Sequence, residues 1–270
     1  MIRSLLDTPG SYAALAAAVH RDDLRATAFQ ATRSLIEQTI DAGQPWPTEA
    51  ARWLSLADAG WATSAAFCNQ IAWYARTRHN SATTYLTGTS HLLHPGTDRT
   101  YARALVHLQL VALRYDFRCR SIQKILDQAP EAQRNQWDPY TRALHAFALL
   151  GQSHLAGLPT AQRSLEEAGD NLQVCHALLH GLWLGTDLPD QAEHILRLAA
   201  RPVFDRGDPV MLLRTAGALR ALGRRQEALT AIDEAMEALD PNAPEFHADL
   251  VRERALITGL PRHAGTGPAR

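Results

Sequence analysis

Two histidines set four residues apart raise the question of chemistry in this sequence. The stretch CHALLH, residues 175–180, puts His176 and His180 on one face of a predicted helix. That spacing serves zinc in the His-Glu-x-x-His motif, where the glutamate after the first histidine acts as general base. Here Ala177 stands in its place, and Cys175 projects about 100° away from His176, a poor direction for a third ligand. The pair is therefore read as half-buried or groove-lining imidazoles, with no metal expected. A second pair, His91 and His94 in SHLLHPG, falls at a predicted helix end, where imidazolium can interact with free carbonyls.

Other chemistries fail on residue type. Lys124 is the only lysine among 27 basic residues, and no Gly-x-x-x-x-Gly-Lys-Ser/Thr loop exists. A dinucleotide fingerprint needs a strand before it, and strand signals are nearly absent. GTSHLL does not make a nucleophile elbow. The acidic pairs Glu166-Glu167 and Asp22-Asp23 sit in polar contexts and read as solvated faces. The segment DDLRATAFQATRSLIEQ has too few positive charges for a DNA-reading helix, and the net charge of −1 shows no basic excess. Direct nucleic-acid contact is not expected, and no cofactor is called for.

The elements that would position these residues are helices. Apolar residues recur at three- and four-residue intervals, rich in alanine and leucine. Asp138-Pro139, Asp208-Pro209 and Pro189 after Asp187 look like helix starts, with aspartate as cap and proline in the first turn. Gly151, Gly185 and Gly223 look like helix ends. Short loops between such helices imply antiparallel hairpins. No window offers the 18 or so apolar residues of a spanning helix. The N-terminus, MIRSLLDTPGSYAALAAAVHRDD, lacks the apolar core of a secretory signal. Cys68, Cys119 and Cys175 are widely separated and form no Cys-x-x-Cys pair. A soluble cytoplasmic protein with reduced thiols, not bound to a membrane, is the expectation.

One pattern repeats. Ala228, Ile232 and Ala235 return as Ala192, Leu196, Ala199, again as Ala161, Leu165, Ala168, and more loosely as Ile122, Leu126, Ala129. Between first members the intervals are 228 − 192 = 36, 192 − 161 = 31 and 161 − 122 = 39, scattered about the roughly 34-residue period of helical-hairpin arrays. Positions i, i+4 and i+7 share one face, and alanine there lets the neighbouring backbone come close.

Residues 209–241 resemble a tetratricopeptide repeat. Leu212, Ala216 and Leu219 fall at the family's first-helix packing positions, Gly223 at its turn, and Ala228, Ile232 and Ala235 on its second helix. Leucine replaces the usual tryptophan and tyrosine, isoleucine replaces an aromatic, and Pro241 comes one position late. The resemblance implies an all-α, right-handed solenoid of stacked hairpins over residues 96–258. Residues 1–95 would form a divergent helical region, either further hairpins or a separate bundle, holding Trp46, Trp53, Trp61 and Trp73. Residues 259–270 would be a flexible tail. It further implies a groove for a protein or peptide partner, carried over to Leu213, Gly217 and Arg220 on the clear unit and to Arg142, His176, His180 and Trp183 on the preceding ones. The expected function is an interaction module with a regulatory role and without catalysis of its own. The alternatives are an enzyme with an α-helical cavity in a specialised biosynthetic pathway, or a peptide-responsive sensor.

Overall fold

Every described segment of regular structure is helical. The computed structural model describes residues 33–34, 37–38, 40–43, 60–83, 99–185, 189–239 and 244–259. Among them are eleven helices and no strand: α1 (Trp61–His79), α2 (Arg99–Tyr115), α3 (Cys119–Asp127), α4 (Glu131–Arg134), α5 (Pro139–Leu150), α6 (Gly157–Ala168), α7 (Leu172–Leu184), α8 (Pro189–Ala199), α9 (Pro209–Ala221), α10 (Arg225–Ala238) and α11 (Pro244–Thr258). No described helix is long and apolar enough to cross a membrane. Trp46, Trp53, the His91/His94 pair and residues 260–270 lie outside the described residues.

The starts follow from side chains that replace missing backbone acceptors. Asp138 Oδ1 accepts from the Thr141 amide at 2.9 Å, and Asp208 Oδ1 accepts from the Val210 and Met211 amides, each with proline in the first turn. Asn171 does the same for α7, accepting from Gln173 and Val174. These caps stand at intervals of 171 − 138 = 33 and 208 − 171 = 37. By contrast α6 and α10 begin without a side-chain cap. Gly151, Gly185 and Gly223 stand at or just past the ends of α5, α7 and α9; Gly223 takes φ 73°, the left-handed turn that glycine adopts freely.

Packing runs mostly between neighbours in the chain. The pairs α5/α6, α7/α8 and α9/α10 pack internally, and α6, α8 and α10 each also pack against the next helix, α7, α9 and α11. Helix α5 is the centre. Tyr140, Leu144, Phe147 and Ala148 are fully buried, and α1, α2, α3, α6 and α7 all pack against it. A helix surrounded on so many sides is apolar nearly all round. Helix α1 reaches past its neighbour to touch both α5 and α7, and its Ile71 and Ala72 belong to the same core as Leu178. A second, smaller core holds Leu213, Ala216 and Leu219 of α9 with Ala228, Ile232 and Ala235 of α10 and Leu250 of α11. Trp183 packs against both cores.

The question of the alanines is answered by α10. Ala228, Ile232 and Ala235 are all at 0% exposure, facing α9. A leucine at 228 has no space to enter, so Ala228→Leu is expected to destabilise by about 1–3 kcal/mol through overpacking. Urea unfolding with an unchanged midpoint would refute this. In the preceding units the register differs by one residue. Ser164 and Ile195 are fully buried, while Leu165 and Leu196 are only half-buried. Helix α6 and α8 are rotated so that the i+3 position, rather than i+4, points inward after Ala161 and Ala192.

Candidate functional site

The polar residues of the interior are not spread evenly; several converge where α1, α2, α5, α7 and α9 meet. Asn69 of α1 organises one side. Its Nδ2 donates to the Tyr140 hydroxyl at 2.6 Å and to the Ala65 carbonyl at 2.7 Å, and its Oδ1 accepts from Arg114 Nη1 at 2.8 Å. The Arg114 guanidinium also lies 5.0 Å from the Tyr115 ring centroid, a cation–π contact. Burial pushes the Tyr140 phenol well above its ordinary range, so it remains a neutral hydroxyl.

Arg114 is only 3% exposed, and its Nε is enclosed with no acceptor. Arg214 of α9, at 8% exposed, donates no side-chain hydrogen bond to any described residue, and its Nη1 is likewise enclosed without a partner. Burial first, and then the like charge of Arg114, hold Arg214 down at about 10. The carboxylate that acts on Arg214 is Asp208, whose Oδ1 is engaged in capping α9. Among the described residues the two buried cations, which act on each other, have no dedicated counterion, an arrangement that is costly in a folded interior.

His176 and His180 complete the cluster. The His180 ring is 6% exposed and lies against Phe147 at 5.2 Å, the exposed Phe117 at 5.4 Å and Trp183 at 6.1 Å, with Nδ1 enclosed and unpartnered. His176 packs edge-on against Phe204 at 5.0 Å. Burial and then the charges of Arg214 and Arg114 lower His176 to about 3 and push His180 well below its ordinary value. Both rings are neutral at physiological pH. Phe117 takes φ 57°, a left-handed backbone unusual for a bulky side chain, and this turn between α2 and α3 sets its ring on His180.

A different constellation has the residue types of a hydrolase. Ser64 Oγ lies 3.0 Å from His107 Nδ1, and His107 Nε2 lies 3.2 Å from both Asp138 Oδ2 and Thr141 Oγ1. A nucleophile must meet substrate, yet Ser64 and His107 are both at 0% exposure. The relay ties α1 to α2 and to the start of α5. Burial would raise Asp138, but His107 and the Thr141 amide and hydroxyl more than offset it and hold the carboxyl well below its usual range.

One surface cleft, about 320 Å³, is lined by Arg134, Trp137, Arg142, His145 and Arg163. Its arginines each have a partner, although Arg142 Nε is itself enclosed without an acceptor. Arg142 donates to the Glu167 carboxylate and the Trp137 carbonyl, Arg163 pairs with Glu167, His145 with Asp127, and Arg134 donates to the Ala129 and Asp127 carbonyls.

Of the residues singled out in the sequence, His176, His180 and Trp183 share α7, and Gly217 of α9 lies beside Trp183, whose Nε1 would stand 3.5 Å from an added Cβ. Arg220 is on the same side of α9 but donates to Glu253 of α11 at 2.5 Å, so its charge is matched within the chain. Leu213 is a core residue at 4% exposure, packed with Ala216 and Leu219 rather than presented in a groove. Arg142 is separated from the others by its role in the surface cleft. The residues that sequence reasoning missed are Arg114, Arg214 and Asn69, because an arginine in an amphipathic helix has no local mark of burial. Among the described residues no group of three His, Cys, Asp or Glu side chains could hold a metal ion. Cys175 is buried, with its thiol pushed up to about 11 by that burial. No family model matches the chain, and no curated protein or solved structure matches it.

Proposed function

We propose that this chain is a tetratricopeptide-like interaction module: a right-handed stack of helical hairpins that holds a protein or peptide and performs no catalysis of its own. The observation that carries the reading is the placement of Arg114, His176, His180 and Arg214. They come from α2, α7 and α9. Arg114 Nε, His180 Nδ1 and Arg214 Nη1 are three buried polar atoms without a hydrogen-bond partner in one neighbourhood, whereas the similarly enclosed Arg142 Nε and Gln191 Oε1 lie elsewhere. Buried polar groups are nearly always paired, and those that are not point to a ligand or to catalysis. Catalysis finds no exposed nucleophile in the Ser64–His107–Asp138 relay. The hairpin reading draws support from caps repeating at 33 and 37 residues and from the packing of each second helix on the next first helix. A cytoplasmic setting belongs to the same reading, since Cys68, Cys119 and Cys175 are free, buried thiols.

Selection from a displayed random-peptide library against the full chain tests the reading. Enriched clones should share a motif and lose binding to Arg214→Glu and His176→Glu variants that keep the helical circular dichroism of the parent. Clones insensitive to both but lost on Glu166→Arg or Glu234→Arg, on the exposed faces of α6 and α10, would move the site to the outer helices.

A further inference from the structure

The unpaired charges define what kind of group belongs between them. Arg114 and Arg214 bring two positive charges from α2 and α9, each with an enclosed nitrogen that lacks an acceptor. His180 adds an enclosed, unpartnered Nδ1 from α7, and His176 stands one turn before it, half-buried. Donors from three helices lie close enough for Arg114 and Arg214 to act on His180 and on each other. A tetrahedral oxyanion offers acceptors in several directions to such a set, whereas a planar carboxylate is satisfied by a single guanidinium fork. Charge gives the same answer. One carboxylate neutralises one arginine, while a phosphate monoester carries roughly −1.5 to −2 at pH 7. The surface cleft bounded by Arg134, Arg142 and Arg163 has comparable positive charge, but Glu167, Asp127 and backbone carbonyls already occupy it.

We propose that Arg114, His176, His180 and Arg214 form a phosphoryl-binding site, which takes a phosphate dianion either free or carried as a monoester. The site builds on the reading of this face as the binding surface, and it names the group that the face recognises. The half-buried Tyr115 lies beside Arg114 and the half-buried Trp183 beside His180, with Phe117 edge-on to the same imidazole. Burial and the neighbouring arginines keep both imidazoles neutral. The charges acting on them are Arg114 from α2, Arg214 from α9 and, on His180, His176 itself. Helix α1 contributes the neutral amide of Asn69 and α5 the neutral phenol of Tyr140. Among the described residues no carboxylate acts on either ring. A bound dianion supplies the missing negative charge, so phosphate is expected to bind with proton uptake by these rings.

Titration calorimetry and thermal unfolding of the full chain, with inorganic phosphate against succinate and acetate at matched ionic strength, decide the matter. Phosphate should bind and raise the unfolding midpoint, taking up protons as judged from two buffers of different ionisation enthalpy. Succinate and acetate should do neither. Arg214→Met should weaken phosphate binding by about 10- to 100-fold, the loss of a charge-assisted hydrogen bond, while raising the midpoint of the phosphate-free protein. A merely structural arginine would lower that midpoint. Should Arg214→Met fail to fold, Arg114→Met and His180→Phe carry the same expectation for phosphate affinity. No response of the parent protein to phosphate, an equal response to succinate, or undiminished affinity in folded Arg214→Met or Arg114→Met would overturn the proposal. Phosphate binding without any peptide recovered by selection would retain this site and remove the peptide reading.

Discussion

Gly181→Ala is expected to destabilise the protein by about 3 kcal/mol, at the upper end of what overpacking costs. A Cβ at this position would stand 2.7 Å from Phe147 Cα, 2.9 Å from its carbonyl oxygen and 3.2 Å from its carbonyl carbon. These are backbone atoms of a helix on which five described helices pack, so no side chain can swing away; α7 and α5 must separate. Gly185, one turn on, faces the Leu150 carbonyl in the same way, and the two glycines let α7 lie directly on α5. Interiors packed at crystal density do not absorb such a shift locally. Chemical denaturation should show the lower midpoint. Parent-like stability would mean that the two helices are not in contact at residue 181.

Acidification provides the second large effect. His176 and His180 have folded pKa values below the ordinary histidine value, because burial and two arginines oppose their charging. Below about pH 6.5 the unfolded chain binds protons at these positions and the folded chain does not, so stability falls as pH falls. With His176 at about 3, the loss at pH 5 is about 2 kcal/mol for that ring. His180, held well below its ordinary value by burial and the same arginines, adds to the loss in the same direction. The depressed carboxyls Asp116 and Asp138 act in a separate window, since their stabilisation is present above about pH 3.8 and lost below it. Urea unfolding at pH 7.5 and 5.0 should show the drop, and a His176→Phe/His180→Phe variant should show much less of it. An equal drop in that variant would assign the effect to other groups.

Much of this architecture is legible in the sequence because its signals are local. Asp138-Pro139 and Asp208-Pro209 cap and start helices within three residues of themselves, and Gly223 ends one through its own φ. The burial of Ala228, Ile232 and Ala235 follows from helix periodicity alone. The register at 161–165 and 192–196 does not, because adjacent residues there are both small or apolar and the crossing angle with the next helix chooses between them. The candidate site is less legible still. His176 and His180 stand out by spacing, whereas Arg114 and Arg214 lie 100 residues apart in sequence and acquire meaning only when α2 and α9 are brought around α7. Arg220 illustrates the converse: its chemistry reads as partner recognition, yet Glu253 answers it from α11.

The reach of α1 to α7 has a kinetic consequence. Where each hairpin touches only its neighbours, an array can open from either end and fold from any point. Five described helices lie between α1 and α7, and the contact of α1 with α7 closes that whole span into one loop. Long-range contacts of this kind slow folding, because a large loop must be ordered before the contact forms. Helices α1 to α8 should therefore exchange their amide hydrogens as a single cooperative block. Helices α10 and α11, whose buried residues belong to the smaller core alone, are placed to open first, while α9, which lends Met211 and Ala218 to the larger core, stays with the rest of the fold.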